Sequence, residues 1–235
     1  MQNMRRLAQL FQDFLWELQA RVLHIPEVVV RKDVPYISQF ARREDVEAII
    51  RKELTTEDDP HWERSGAASS SEYAEWSWAM CGMACMAMVL GALESRERKL
   101  LDLAKDALQH GVYTRAKNGE LSDMKYREFT KWARRHGLEA RVRARLSVAG
   151  VKLALAQGKF PIVSVNPNIR GYKTAPSSKK GGHLVLITGY DQANGVLFLH
   201  NPSGFMSKNT QKHKILEKDF LKYHAGRGVI VNSVI

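Results

Sequence analysis

The chain has 235 residues and a mass of 26.7 kDa, with 44% hydrophobic and 26% charged residues, which excludes a disordered or fibrous protein and suffices for one sizeable core. Its 36 Lys and Arg outnumber 25 Asp and Glu and leave a net charge of +11, which favours an acidic partner through a basic surface. The basic residues are scattered and few aromatic residues are interleaved with them, so nucleic acid is not expected as the main partner.

The first segment of the chain predicts an amphipathic helix. Apolar side chains recur there at helical spacing, with Asp13 and Glu17 on the intervening faces: Leu7, Leu10, Phe11, Phe14, Leu15, Leu18 and Val22. This stripe is typical of a core-facing helix, so we expect it to pack on its own domain or on a partner rather than on a membrane surface. Residues 1–32 are interpreted as an N-terminal helical extension and residues 33–235 as the main domain.

The next segment predicts a strand, a helix and then a long loop. Residues 27–40 form a β-rich run broken by Pro35, and residues 43–54 predict a helix. Acidic residues, Pro60, Gly66 and three serines then predict a long surface loop.

From residue 76 onward, helical patterns come first and strand patterns follow. Helices are expected from Cys81, over 96–110, over 122–137 with Ser122 as cap and Gly137 as stop, and over 148–158. Strands are expected over 138–146, 160–166, 183–191, 195–202 and 226–235, with a short helix over 217–224. This order predicts an α+β fold in which a buried helix packs on an antiparallel sheet.

The only two cysteines, Cys81 and Cys85, lie in an apolar run that predicts a buried helix. Two cysteines one helical turn apart are poor partners for a disulfide, which favours a reducing, cytoplasmic location. Cys81 lies at the helix start, where free N–H groups and the helix dipole stabilise a thiolate. Cys81 is therefore the candidate nucleophile, and Cys85 is expected to be a core residue. We also expect Gly82 to let a substrate approach the backbone.

A nucleophilic thiol needs a base, and His183 opens a predicted strand beside a basic loop. If the following hairpin turns near residue 193, the numbers of two residues that face each other across it add up to about 386. Asn201 then lies across from about Val185 and beside His183. The rival base His200 falls on the opposite face by alternation. Gln39, with the backbone N–H of Cys81, is the candidate oxyanion donor.

Four segments of the chain together resemble the bacteriocin-processing cysteine peptidases that cleave double-glycine leaders, and their stand-alone relatives. The segments are VPYISQF, CGMACMAMVLGAL, GGHLVLITGYD and GVLFLHNPSG, and the resemblance covers roughly residues 33 to 232. It implies a papain-like fold and a cysteine peptidase acting on a peptide or protein, with Cys81 as nucleophile, His183 as general base, Asn201 as its orienting residue and Gln39 in the oxyanion hole. It implies no cofactor.

The chain departs from this family pattern in two ways. Asn201 stands where the family usually has Asp, which is expected to hold His183 less tightly as an imidazolium. The gap from Gln39 to Cys81 is longer than the family's usual spacing, which implies that the helix and Ser-rich loop at about residues 41–75 are an insertion.

Other uses of these residues remain open at this stage. The same thiol site could run an acyltransferase reaction, and the chain could be a non-catalytic papain-like module that binds an acidic partner. A zinc site built from Cys81, Cys85 and a histidine is a weaker alternative, because structural zinc takes four ligands and the sequence has no second cysteine pair.

Overall fold

The computed structural model describes residues 2–94, 98–171, 181–206 and 213–233. Its helices are α1 (Gln2–Val22), α2 (Val46–Arg51), α3 (Ser70–Ser77), α4 (Cys81–Glu94), α5 (Leu100–Gln109), α6 (Tyr126–Arg135), α7 (Val148–Ala156) and α8 (Glu217–Phe220). Short 3-10 helices lie at Trp62–Ser65 and Pro167–Arg170. Its strands are β1 (Val28–Val30), β2 (Leu138–Arg143), β3 (Phe160–Val165), β4 (His183–Asp191), β5 (Val196–His200), β6 (His213–Leu216) and β7 (His224–Ser233).

The strands form one sheet in the order β2-β7-β3-β4-β5-β6, with β1 also paired to β4. Every pair in this sheet is antiparallel. The predicted α+β class with an antiparallel sheet is therefore confirmed.

The central strands have apolar side chains on both faces, and each face builds its own core cluster. In β7, Val229 and Val231 join the cluster around α4, whereas Ile230 joins the cluster around α7. In β4, Leu184 and Val185 divide in the same way. Because successive side chains of a strand point to opposite faces, the sheet is covered on both sides and its central strands are buried.

Helix α4 forms the middle of the first cluster, as its composition predicts. Residues 82–90 are all buried, because apolar side chains surround the helix and leave no face for water. Gly91 lets the chain of residue 35 pass close by, since a Cβ at Gly91 would overlap the ring of Pro35. The helix begins at Cys81, as predicted, and this residue lies at the end of the sheet where β4 starts.

Within the described residues, no single helix has the length and apolar character needed to cross a membrane. Helices α3 and α4 meet those criteria only when they are taken together, and a bend of 92° separates them.

Helix α1 forms as predicted and packs on its own domain, but through the side opposite its apolar stripe, so the expectation that the stripe faces the core of this domain is wrong. Side chains of the stripe, such as Leu7, Phe11 and Phe14, are 57–65% exposed. Asp13 and Trp16, on the opposite side, are buried against the domain. The helix is held by specific polar contacts from its inner side, and these contacts decide its rotation against the hydrophobic pattern.

The Ser-rich segment, expected to be a loop, contains the 3-10 helix Trp62–Ser65 and helix α3. Ser69 caps α3 by accepting a hydrogen bond from Glu72 N, and the Glu72 carboxylate accepts one from Ala68 N. This pattern is close to a capping box, with the Glu72 carboxylate bonded one residue before the cap, and the serines therefore mark a helix start rather than a loop.

Two smaller predictions are also wrong. Ser122 does not cap α6, which begins at Tyr126 after an extended Lys125. The Ser122 hydroxyl instead accepts a hydrogen bond from Thr114 N. In the β-rich run of residues 27–40, only Val28–Val30 forms a strand.

Candidate active site

Cys81 is the first residue of α4 and lies against the start of β4. Burial has the largest effect on the thiol and raises the pKa of Cys81 above its usual value. Hydrogen bonds from the backbone N–H groups of Leu184 and Gly82, and the positive charge of Arg170, oppose this rise without cancelling it. The resting side chain is therefore a neutral thiol surrounded by groups that stabilise the thiolate once a base removes the proton.

Gly82 does not open the backbone to a substrate, contrary to expectation. A Cβ at this position would overlap Met124 Sδ and would lie 3.1 Å from Leu184 Cδ1. The glycine is needed because α4 packs closely on β4 and on the segment before α6, which brings Cys81 close to the end of the sheet.

Cys85 lies one turn further along α4, with no exposed surface. Burial raises the pKa of this thiol well above its ordinary value. The described environment of Cys85 is that of a small apolar core residue.

His183 and Asn201 are brought together by the β4–β5 hairpin. In the hairpin, Leu186 pairs with His200, and their residue numbers add up to the predicted 386. The same register, continued by one residue towards the open end of the hairpin, sets Asn201 opposite Val185. Both side chains of the pair are buried, and His183 Nε2 lies 2.7 Å from Asn201 Oδ1. The predicted hairpin register is confirmed at this end of the strands, and a bulge shifts it by one beyond Ile187.

The hydrogen bonds of Asn201 determine which nitrogen of His183 carries the proton. The Ser203 backbone N–H can only donate, and it lies 3.2 Å from the oxygen Asn201 Oδ1. Oδ1 therefore accepts from His183 as well, which makes Nε2 the protonated nitrogen and leaves a lone pair on Nδ1. Nδ1 is buried and has no hydrogen-bond partner among the residues that the structure describes.

Two residues that were not predicted from the sequence, Ser203 and Arg170, complete this network. Arg170 Nε donates to Ser203 Oγ over 2.7 Å, and Ser203 Oγ lies 3.2 Å from His183 Nε2. Ser203 stands two residues after Asn201 and could have been suspected from that spacing. Arg170 lies in the 3-10 helix after β3, and no sequence signal links it to the site.

The surroundings strongly disfavour a charged His183. Burial is the main reason that its pKa falls to about 3, and the nearby Arg170 cation lowers it further. The hydrogen bond to Asn201 acts in the opposite direction. His183 is thus a neutral imidazole at ordinary pH, as expected if an uncharged amide replaces a carboxylate beside it.

Cys81 and His183 line one cavity of about 280 Å³. Its wall also carries Trp78 and the charged residues Asp123 and Arg227. His200, the rival base, lies outside this lining and packs edge-on against the ring of Tyr36.

Gln39 lies beside the cavity but does not line it. Its backbone N–H donates to Pro202 O and its side-chain Nε2 donates to Ser77 O, both over 2.9 Å. It therefore connects the chain just before Cys81 to the chain just after Asn201. Within the described part of the chain, its side-chain Nε2 donates only to Ser77 O, and its Oε1 is buried without a partner.

A second, larger cleft of about 730 Å³ adjoins this cavity. Phe40 lines the cleft and Trp78 lines the cavity, and the two rings meet edge to face with centroids 5.4 Å apart. The charged side chains of the cleft are five cations and one carboxylate: Arg42, Arg43, Arg64, Arg98, Lys99 and Glu44. With the described part of the chain, Arg64 and Lys99 form no ion pair.

Across residues 2–94, 98–171, 181–206 and 213–233, no group of three or more His, Cys, Asp or Glu side chains could hold a metal ion. The thiols of Cys81 and Cys85 are both free.

Comparison with known proteins gives one family match and several solved structures. The Peptidase_C39 like family matches residues 31–228. A C39-like peptidase from Bacillus anthracis is 14% identical, with a TM-score of 0.51 over 89% of this chain and 99% of that chain. This likeness shows a shared fold. A search of the curated proteins finds no match.

Two further solved structures are similar over 66% of this chain, each with a TM-score of 0.44. One is a double glycine motif protease from an AMS/PCAT transporter in complex with the leader peptide, with 23% identity over 86% of that chain. The other is the peptidase domain of Streptococcus ComA, with 13% identity over 93% of that chain.

Proposed function

Because the chain belongs to the Peptidase_C39 like family and is a cysteine-type peptidase, we propose that it hydrolyses peptide bonds through a thioacyl intermediate on Cys81. One observation carries this proposal. Cys81 and His183 line the same cavity, and the imidazole has an unprotonated Nδ1 while its Nε2 is held by Asn201.

In the first half of the reaction, His183 Nδ1 takes the proton of the Cys81 thiol as Sγ attacks the carbonyl carbon of the substrate. The carbonyl π electrons move to oxygen and form a tetrahedral oxyanion. When this intermediate collapses, the C–N bond breaks and His183 gives its proton to the leaving amine. The acyl group remains on sulfur as a thioester.

In the second half, His183 removes a proton from water, and the hydroxide oxygen attacks the thioester carbon. The C–S bond then breaks, the thiolate takes back the proton from His183, and a carboxylic acid is released. Asn201 keeps the imidazole in the required tautomer throughout, since its oxygen holds the Nε2 proton.

The charges around the site suit a thiolate that forms only during attack. The low pKa of His183 and the raised pKa of Cys81 favour the neutral pair at rest. Arg170 then stabilises the negative charge that develops on sulfur. In the same step it opposes the imidazolium, which makes His183 a strong proton donor to the leaving amine.

We assign the oxyanion hole to Gln39 and the backbone N–H of Cys81. The Gln39 amide has two N–H groups, one of which is used by Ser77 O. The second N–H is available for an oxyanion, and the bond from Gln39 N to Pro202 O ties this residue to the turn that carries Asn201. The N–H of Cys81 belongs to the first turn of α4, where it has no partner within the helix, and it donates to no other described backbone group.

The substrate has an acidic segment that binds in the basic cleft next to the cavity. Five cations and one carboxylate line the cleft, and its residue Phe40 contacts Trp78 in the wall of the catalytic cavity. A peptide bound across both would place acidic side chains near Arg64 and Lys99 while its scissile bond lies at Cys81.

The assignment of the nucleophile is tested by exchanging each thiol separately. With a fluorogenic peptide library as substrate, we expect Cys81→Ala to lower kcat/KM by at least about 10³-fold, because the covalent route is lost. The matched control, Cys85→Ala, keeps activity within about tenfold once its folding is verified. Full turnover by the Cys81→Ala variant, or iodoacetamide labelling of Cys85 alone, would show that the assignment is wrong.

Mass spectrometry of the products separates hydrolysis from acyl transfer. Hydrolysis adds the elements of water to the two fragments, even with a millimolar primary amine present. A product in which that amine has replaced the leaving group would identify an acyltransferase.

The recognition part of the proposal has its own measurement. We expect a fluorescein-labelled Glu/Gly peptide to bind the Cys81→Ala variant and to lose most of its affinity at about 0.5 M salt. The double variant Arg64→Glu/Lys99→Glu should weaken binding at least tenfold and raise KM for acidic substrates with little change in kcat. The control Lys117→Glu/Arg135→Glu, at exposed sites outside the cleft, should change neither. Equal binding by the two double variants would remove the cleft from substrate recognition.

A further inference from the structure

Helix α1 presents an apolar face that no described residue covers. Eight large side chains on this outer face of α1 are between 36% and 71% exposed: Met4, Leu7, Leu10, Phe11, Phe14, Leu15, Leu18 and Val22. They recur at spacings of three and four residues along 21 residues of helix, so they form one continuous stripe. Exposed apolar patches of this extent on a folded domain mark interaction surfaces.

The opposite, inner side of α1 is the polar one, and it is bonded to the domain. Gln9 Nε2 donates to Val142 O over 2.7 Å, and Trp16 Nε1 donates to Gly150 O over 3.2 Å. The buried carboxylate of Asp13 accepts from the backbone N–H groups of Ala144 and Arg145, at 3.0 and 3.1 Å.

Two more contacts complete this inner side. Arg143 forms an ion pair with Asp13, and Glu17 accepts from Ser147 N over 2.9 Å. Turning the apolar stripe inward would break these bonds and leave the partners of a buried carboxylate unsatisfied. The outward orientation of the stripe is therefore set by the domain itself.

The charges around the outer face decide what can cover it. Asp13 and Glu17 are the only acidic residues of α1, and both face the domain. Among the described side chains of the helix, the exposed charges are Arg6 and Arg21, near its two ends. Lys159 lies along one flank with the ion pair of Arg141 and Glu139, in a groove shared with Leu15.

A second copy of the chain would be a poor match for this face. In an antiparallel pair of α1 helices, Arg6 of one copy would meet Arg21 of the other, and in a parallel pair each cation would meet itself. No acidic side chain on the face could compensate. A partner with an apolar interior and a negatively charged outer layer would match both the apolar stripe of α1 and the cations at its ends.

We propose that the outer face of α1 docks on the surface of an anionic phospholipid bilayer. The helix lies in the plane of the membrane, with its apolar side chains among the acyl chains and its end cations at the phosphate groups. The net charge of +11 adds long-range attraction to the same surface. The inner contacts hold the catalytic domain against the bilayer.

The experiment is flotation of the full chain with phosphatidylcholine vesicles that contain either about 30% phosphatidylglycerol or none. We expect binding to the anionic vesicles, at least tenfold weaker binding to neutral vesicles, and loss of most binding at about 0.5 M salt. The variant Phe11→Ser/Phe14→Ser should lower binding at least tenfold without changing thermal stability. The matched control Leu221→Ser removes another exposed apolar side chain, which is 55% exposed, and should bind as the parent chain does.

Failure of the parent chain to bind anionic vesicles overturns the proposal. So does a stable dimer in analytical ultracentrifugation that the Phe11→Ser/Phe14→Ser variant dissociates, because the second copy would then be the occupant of the face. Neither result depends on the activity of Cys81.

Discussion

At the scale of single residues, the surroundings of His183 are set by Asn201, Ser203 and Arg170. The backbone N–H of Ser203 and the guanidinium of Arg170 can only donate hydrogen bonds, so they determine the direction of the other bonds in this network. The N–H of Ser203 fixes the orientation of the Asn201 amide, and that amide fixes the tautomer of His183. Arg170 holds the Ser203 hydroxyl and adds a positive charge beside the imidazole. A change at any of these positions should therefore alter the protonation of His183 as well as its position.

The pKa of His183 has a consequence for stability at low pH. In the unfolded chain a histidine titrates near 6.5, whereas in the folded protein burial and Arg170 lower the pKa of His183 to about 3. The unfolded state therefore takes up a proton between these values while the folded state does not. Stability from this group is complete above pH 6.5 and is lost as the pH falls towards 3.

We predict that the free energy of unfolding decreases between pH 7 and pH 4.5 and that His183→Gln removes roughly 2 kcal/mol of this decrease. Gln can still donate to Asn201, so the variant should fold. Urea unfolding at the two pH values measures the effect, with His24→Gln, at an exposed position, as the control. An identical pH dependence in the parent chain and in His183→Gln would contradict the assigned pKa shift.

At the scale of elements, helix α1 shows how a hydrophobic pattern can be overruled. Its periodicity correctly predicts a helix, but on the other side Trp16 packs into the apolar cluster around α7, and Gln9 and Asp13 bond to backbone groups of the domain. Trp16 also lies beneath the cations of Arg143 and Lys159, at 4.6 and 5.1 Å from its ring centroids. Specific bonds from one face thus win over the general preference to bury the other.

We predict opposite outcomes for two aromatic residues of α1. Trp16→Ala should lower the free energy of unfolding by about 3 kcal/mol or more, because Trp16 is only 6% exposed and loses its bond to Gly150. Phe14→Ala should change it by less than about 0.5 kcal/mol, because this ring is 57% exposed. Chemical denaturation of both variants makes the comparison, and a larger loss from Phe14→Ala would mean that α1 is turned the other way.

At the scale of the whole molecule, the sheet joins two apolar clusters into one structure. The strands β3, β4 and β7 each contribute alternate side chains to both clusters, so neither layer can separate while the sheet is intact. The active site lies where the first cluster meets the sheet, because Cys81 comes from α4 and His183 from the end of β4. We expect the two layers to unfold in one transition.

Gly228 offers a test of this coupling. A Cβ there would overlap the backbone carbonyl of Ile162 and would lie 3.1 Å from Val163 Cα, so the β3–β7 pair would have to move apart. We predict that Gly228→Ala lowers the free energy of unfolding by more than about 2 kcal/mol. Tryptophan fluorescence and far-ultraviolet circular dichroism should shift to the same new midpoint, whereas Asn232→Ala on the same strand should leave both within about 0.5 kcal/mol. Separate midpoints for the two signals would show that the layers unfold independently.

The sequence by itself determined the features that depend on local chemistry and on period. The α+β class, the buried helix starting at Cys81, the strand opened by His183 and the hairpin register near Asn201 all follow from residue types and spacing, and all are confirmed. The helix cap at Ser69 was also readable, although it was interpreted as a loop. Local rules suffice for these features because the interacting groups are close along the chain or related by a short turn.

Only the tertiary structure decided the features that join distant segments. Arg170 reaches Ser203 across 33 residues, and the inner face of α1 bonds to groups more than 130 residues away. The pKa of His183 likewise depends on burial and on a cation from another segment. No local sequence pattern predicts these contacts between distant segments. They depend on where the packed sheet and helices place each backbone donor and each charged group.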